Sequence, residues 1–519
     1  MVLDPEHAAH YTARGWWRTE PLSALVRALA AARPDDPAYV EPDRTVTWRE
    51  YDRAADAIAA ALAGIGPGAR VALLLPDTAV FHAALLGTER AGVVAVGIGA
   101  RAGDAEIAHL ITRTGARTLI TTAEHRGRDL TALPTALAGH GVRLDRHLII
   151  GDRPADTPAA PGDRALGPND LWLLNATSGT TGLPKIVTQY QNRWMYLADL
   201  AVRAAGLGPD DVILSAVPAP YGFGLWSAHF LPALLGVPAV VLPRFDAAAA
   251  LALIDAHRVT VLCAVTTQFR MMLKAAGNAG LTSLHTLFTG GEPIPYADAA
   301  AFEDRTGAVV LNFFGSNESG AFSRTTRDDP RELRLTTGGR VLPEMDVRLY
   351  DEAGHDVTAS GGPGRPGGMG PLVCAGYYDD PEANARLYAP DGRLLMGDLV
   401  TIDADGYLRL VGRASDIIIR GGRNISAAEV EAAVAAHPAV ELAAAVPVPD
   451  PVYGERVCAV VSLLAGHELD LPALTGFLAG RGMTKELLPE RLVVLPELPR
   501  SAGGKIARAR LREIAREAG

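Results

Sequence analysis

Short apolar runs alternate with longer alanine-rich stretches through the first two thirds of the chain. Val71 to Leu75 predicts a strand, Ala79 to Arg90 a helix and Val93 to Val96 another strand, and the helix pattern of Ala247 to His257 leads into a strand over Val259 to Val265. Alternation of this kind specifies an α/β fold of sheets covered by helices. From Leu333 to Val411 the pattern changes. Short β-like pieces such as Met345 to Tyr350 and Tyr407 to Val411 are separated by Gly, Pro and Asp, which predicts a β-rich subdomain over about 333–411. Beyond Arg413 it changes again: a strand at Ile417 to Ile419, a helix at Ala427 to Ala436, strands near Leu442 to Val446 and Val457 to Leu464, and a helix at Leu471 to Arg481. These predict a small α+β unit able to fold alone. The expected division is 1–413 for a large N-terminal region and 414–519 for a small mobile domain.

Composition narrows the classes. At 519 residues and 48% hydrophobic, the chain buries more than one core. No apolar run reaches the roughly 18 residues of a membrane span, and the N-terminal Asp4, Glu6 and His7 do not suit a signal peptide, so a cytoplasmic protein is expected. A net charge of -10 without a basic run argues against nucleic-acid binding. Cys263, Cys374 and Cys458 match no metal-ligand spacing and are expected in the core. Only four of the 49 basic residues are lysine, namely Lys185, Lys274, Lys485 and Lys505. A chain that uses arginine almost everywhere keeps lysine where a compact, mobile ammonium is needed. Lys274 and Lys485 sit in no motif and read as surface residues.

The densest chemistry lies in Thr177-Ser178-Gly179-Thr180-Thr181-Gly182-Leu183-Pro184-Lys185, directly after the strand-like Leu171 to Leu174. Small residues admit an anion to the backbone N–H groups, the hydroxyls add donors and Lys185 adds charge, so this loop is expected to cradle phosphates. It is not a Walker A loop, because the Gly-Lys-Ser/Thr ending is missing. Gly362 to Gly367 spells GxGxxG, but its two prolines and the lack of a following helix mark a turn cluster. His229, beside Trp226 and Phe230, reads as a packed histidine.

The phosphate loop resembles that of the acyl-adenylate-forming superfamily, which includes acyl-CoA synthetases, aryl-acid adenylating enzymes, adenylation domains and luciferases. Thr289-Gly290-Gly291-Glu292-Pro293 resembles the loop that packs on adenine, and Phe314-Gly315-Ser316-Asn317-Glu318 the segment whose glutamate binds magnesium. Asp398 after Met396-Gly397 matches the ribose-binding aspartate, Gly412 to Asp416 the hinge, and Ser501 to Ile506 the loop of the C-terminal lysine. The resemblance implies ATP and Mg²⁺ as cofactors, with Lys505, Glu318 and Lys185 catalytic, Asp398 and Arg413 on ribose or phosphate, and Ser415 at the hinge. It implies an acid pocket near Tyr221, Gly222, Phe223, Thr267, Gly290 and Phe313. Gly421 and Gly422 resemble the channel of a pantetheine arm, which implies coenzyme A or a carrier-protein phosphopantetheine as thiol acceptor. The expected reaction is activation of a carboxylic acid to acyl-AMP, then thioester formation. Alternatives are loading of an acyl carrier protein, transfer to an amine, or a luciferase-like oxygenase.

Three positions depart from the family: Asn317 and Met396 stand where threonine is common, and Ser415 where lysine or aspartate is usual. Gly15-Trp16-Trp17 resembles the start of aryl-acid adenylating enzymes. Gly222 replaces the asparagine by which salicylate-type enzymes read the 2-hydroxyl, while Tyr221 and Phe223 point to a flat or cyclic acid.

Overall fold

The computed structural model describes residues 3–151, 164–176, 184–277, 281–291, 294–413, 417–420, 423–481, 483–485, 487–500 and 506–518. Two large sheets dominate. The first has nine strands and a parallel centre in which Val309–Phe314, Thr286–Gly290, Val261–Cys263, Ile213–Ser215, Ala239–Val241 and Pro37–Glu41 lie side by side. The second has six strands, with Leu173–Ala176, Val94–Gly97, Arg70–Leu74, Thr118–Thr121 and Arg146–Ile149 parallel and Ile186–Gln189 antiparallel at one edge. The parallel strands are almost wholly apolar because helices cover both faces. One core cluster reaches from Tyr39 and Phe288 of the first sheet to Leu73 and Ala95 of the second.

Helices start where the sequence supplies an acceptor. Thr47 and Glu50 form a capping box at Trp48–Ala61, Asp246 caps Ala247–His257 and Asp470 caps Leu471–Gly480. Helix Ala79–Arg90 is buried along its whole length against Trp48–Ala61, which explains an apolar sequence with little amphipathic bias.

The expected α/β class holds. In the β-rich stretch, Arg348–Tyr350, Arg365–Gly368 and Leu394–Leu395 form one small antiparallel sheet, and Asp398–Ile402 pairs with Leu408–Arg413. The GxGxxG look-alike runs into the strand Arg365–Gly368, with no helix behind it. At the C-terminal end, the two predicted strands are longer than expected and form one hairpin, Val440–Asp450 with Gly454–Leu463. Ile417–Arg420, Arg423–Ser426 and Arg491–Val494 complete that sheet, and helices Ala427–Ala435, Leu471–Gly480 and Arg508–Glu517 pack on it with cores of their own. All three cysteines are buried and free. Among the described residues no helix is long and apolar enough to cross a membrane.

Candidate functional site

Several described motif residues lie at the carboxyl ends of parallel strands of the two large sheets, the place where open α/β sheets bind ligands. Leu173–Ala176 runs straight into the phosphate-loop sequence, Thr286–Gly290 ends on the adenine motif, and Val309–Phe314 delivers Gly315 to Glu318. Tyr221 to Phe223 follow Ile213–Ser215, and Thr267 sits half-buried in the first turn of the helix after Val261–Cys263. Asp398 is buried and pairs in register with Arg413 across an antiparallel ladder, so two motifs fifteen positions apart meet. Thr177 to Gly182, Glu292, Pro293, Ser415, Gly421, Gly422 and Lys505 lie outside the described residues.

Two of the three expected catalytic residues converge on a residue that sequence reasoning missed. The Lys185 ammonium stands 4.7 Å from the Tyr377 ring centroid, a cation–π contact, and the Tyr377 hydroxyl donates to Glu318 Oε1 at 2.8 Å. Burial first, and then the Glu318 charge, push the Tyr377 phenol far above its ordinary range, so it remains a donor. The backbone beneath Glu318 is clamped by Arg193, which is buried and donates to the carbonyls of Asn317 (3.0 Å), Glu318 (2.8 Å) and Leu372 (2.7 Å). Desolvation lowers the Arg193 pKa to about 10. Gly315 makes this turn possible, since a Cβ there would land on the Gly320 carbonyl.

Asn317 keeps a hydrogen-bonding role through an amide network that joins the two sheets. Its Nδ2 donates to Asn175 Oδ1 (2.9 Å), and its Oδ1 accepts from Asn175 Nδ2 and Gln189 Nε2 (3.1 Å each). Asn175 Nδ2 also donates to the Pro220 carbonyl at 2.7 Å, and Trp194 Nε1 to Gln189 Oε1 at 3.0 Å. Met396, a second departure, is buried, with its sulfur 3.5 Å from the Ser319 hydroxyl. None of Asn175, Gln189, Arg193 and Trp194 was legible beforehand; each is defined by a contact with a distant segment.

The segment expected to line the acid pocket is aromatic. Phe223 stacks on Trp226 with ring centroids 5.4 Å apart, Trp226 stands edge-on to Phe288 and Phe313, and those two stack at 5.7 Å. Trp226 belongs to a single π-helical stretch, Leu225–Phe230, of a kind found at functional sites. Burial, followed by Glu106, raises the Tyr221 phenol well above its usual range. A Cβ on Gly222 would come within 2.6 Å of Trp194 Cη2 and 3.0 Å of Asn317 Oδ1, and one on Gly290 would strike the Phe313 carbonyl. His229 is fully buried, as expected of a packed residue.

The expected phosphate loop follows a strand end, and a lysine–tyrosine–glutamate line and a cluster of stacked aromatic rings lie on the segments that the sequence marked out. The chain belongs to the AMP-binding enzyme family: the model of that family matches residues 26–378, and that of the AMP-binding enzyme C-terminal domain matches 429–505. It is 33% identical over 98% of its length to the salicyl-AMP ligase/salicyl-S-ArCP synthetase of Mycobacterium tuberculosis, covering 93% of that protein. It is 32% identical over 98% of its length to a salicylyl-CoA synthase/salicylate adenylyltransferase of a Streptomyces species, covering 95% of it. Among solved structures, the anthranilate CoA ligase AuaEII in complex with anthranoyl-AMP superposes with a TM-score of 0.86 at 25% identity, covering 97% of this chain and 98% of the other. The protein is an ATP-using ligase of the adenylate-forming class.

Proposed function

We propose that the chain joins a flat aryl or cyclic carboxylic acid to ATP, releasing pyrophosphate, and then transfers the acyl group from AMP to a thiol, with free coenzyme A the first choice. The observation that carries this reading is the Lys185–Tyr377–Glu318 line, together with the stacked Phe223, Trp226 and Phe313 rings. A carboxylate approaching the α-phosphate meets like charge, so cations fixed in advance at that point lower the barrier. Lys185 and Lys505 are the protein's own cations for this step.

Magnesium suits the site. Glu318 spends one carboxylate oxygen on Tyr377, while no partner is seen for the other among the described residues. No cluster of three acidic, histidine or cysteine ligands is found among them either. One carboxylate completed by phosphate oxygens is a normal Mg²⁺ environment. When bound, the ion would neutralise triphosphate charge. In this reading Asp398 and Arg413 hold ribose, residues 1–413 bind acid and ATP, and residues 414–519 form the mobile unit that presents Lys505.

Two features bear on substrate and acceptor. Position 222 cannot carry a side chain while Trp194 stays where it is, so in this reading the acid would meet Trp194 and Asn317 in place of an asparagine at 222. An acid without a 2-hydroxyl is therefore favoured over salicylate. Desolvation, and then the neighbouring guanidiniums of Arg126, Arg500 and Arg244, hold the Arg101 pKa below its ordinary value. This cationic rim beside Tyr221 suits an acceptor that carries phosphates.

The test is pyrophosphate release across a panel of aryl, cyclic and linear acids, followed by coenzyme A added with the best acid. Turnover is expected with an unhydroxylated aryl or cyclic acid, then AMP and an acyl-CoA. Absence of pyrophosphate with every acid would overturn the reading.

A further inference from the structure

The segment that carries the acid-pocket residues is an irregular loop, Val217 to Tyr221, followed by a tight helical turn at Gly222–Gly224. Loops of this kind hold a shape only if side chains from elsewhere satisfy their backbone. Here the holding atoms are buried and come from outside the pocket. Asp77 Oδ2 accepts the Ala219 N–H at 3.1 Å, Asn175 donates to the Pro220 carbonyl, and the Tyr39 hydroxyl donates to the Ala228 carbonyl at 2.9 Å.

Asp77 has a second partner. Its Oδ1 lies 3.1 Å from His82 Nε2, five residues on in helix Ala79–Arg90, and both side chains are buried, at 5% and 0% exposure. The His82 ring is locked in place by stacking: Tyr39 covers one face at 4.9 Å and His229 the other at 5.4 Å, with Trp172 stacked beyond His229 at 5.6 Å. Two stacked rings, Tyr39 and His229, with Trp172 behind the latter, thus fix one imidazole, which fixes one carboxylate, which fixes one loop amide. A buried Asp–His pair contributes little net stability after desolvation, so its value lies in geometry.

We propose that Asp77, backed by His82 in the ring stack, is a positioning pair for acid recognition: it pins Ala219 and thereby sets where Tyr221, Gly222 and Phe223 meet the acid. Neither residue touches the acid or ATP. The inference rests on the acid-activation reading above, and it assigns to these two residues a selective effect on the acid.

The test is steady-state pyrophosphate release with the best acid of the panel, first for the wild-type protein and then for D77A, D77N and H82L, varying acid and ATP separately. Wild-type turnover establishes the reading on which the inference rests, so a silent wild type refutes that reading and not the pair. Given turnover, D77A should raise the acid KM by about 10-fold, the scale of losing one hydrogen bond to a charged group, and leave the ATP KM within about 2-fold. H82L should raise the acid KM by a smaller factor. D77N keeps an oxygen for the Ala219 amide and should recover most of the loss. An unchanged acid KM in D77A, or acid and ATP KM values rising together, overturns the proposal. If D77A does not accumulate as folded protein, H82L decides by the same two criteria, and binding of the acid to the AMP-loaded protein by calorimetry must weaken in parallel with KM.

Discussion

A lysine ammonium resting on a phenol ring, whose hydroxyl holds the carboxylate proposed to bind magnesium, would couple two functions through one side chain. Tyr377→Phe tests this at the residue scale. The ring stays under Lys185, but Glu318 loses its 2.8 Å donor and the geometry it imposes. The KM for MgATP should rise by about 3- to 10-fold, the Mg²⁺ concentration needed for half-maximal rate should rise with it, and the acid KM should stay put. Pyrophosphate exchange with magnesium titrated at fixed ATP measures all three; a change in the acid KM alone would contradict the role given to Tyr377. Lys505 is the complementary case. Lys505→Ala should lower acyl-AMP formation by about 10²-fold or more, the scale of removing one preorganised charge. Thioester formation from acyl-AMP supplied ready-made should continue. Near-normal pyrophosphate release by the variant would remove Lys505 from the adenylation step. The chain's preference for arginine strengthens this assignment, because two of its four lysines fall in the two loops proposed to supply a compact cation.

At the scale of elements, helix Ala79–Arg90 carries a titratable group that makes a clear pH prediction. Glu89 is buried and accepts from the Ser23 backbone N–H at 3.3 Å and from the Ser23 hydroxyl. Burial outweighs these bonds and raises its pKa from 4.5 to about 7. A raised carboxyl pKa means that folding takes up a proton, so this contribution is fully present below pH 4.5 and fades as the pH climbs through about 7. The loss across that window is roughly 3 kcal/mol. Glu89→Gln should flatten that part of the profile, so that thermal melts of variant and wild type diverge in the variant's favour between mildly acidic and mildly alkaline buffer. Parallel profiles would show that Glu89 does not titrate in this range. The same helix shows what the sequence made legible. Its ends, and those of Ala247–His257, were read correctly, because a largely apolar or alanine-rich run leaves few choices. The hairpin of Val440–Asp450 and Gly454–Leu463 was read short, since proline and charge inside long strands look like ends. Asn175, Gln189, Arg193 and Tyr377 were not read at all: polar residues whose partners lie on another sheet leave no periodic trace. Met396 was marked as a lost hydroxyl, while its burial beside Ser319 gives it a packing role.

For the whole molecule, the question is how the acceptor would reach an acid held at the proposed pocket. Arg101 follows the strand Val94–Gly97 of the six-stranded sheet, whereas Arg500 ends the segment before the Lys505 loop, near the other end of the chain. They share an open groove of about 410 Å³ with Leu495, Pro499 and Arg510, and Arg126 and Arg244 add positive charge near Arg101. Guanidiniums gathered from distant parts of the chain on an exposed rim attract a phosphorylated acceptor and are screened by salt. Arg101→Glu should therefore raise the KM for coenzyme A by about 10-fold at low ionic strength, less at high salt, and leave adenylation unchanged. Pantetheine, which has the same thiol arm without the nucleotide phosphates, supplies the control. Its KM should not respond to the substitution, and the two acceptors should become more alike in the variant than in the wild type. Equal losses for both would mean that Arg101 shapes the thiol channel itself. If wild-type turnover ignored the nucleotide altogether, the rim would instead suit a carrier protein, whose arm ends in the same thiol but whose docking charges lie on its own surface.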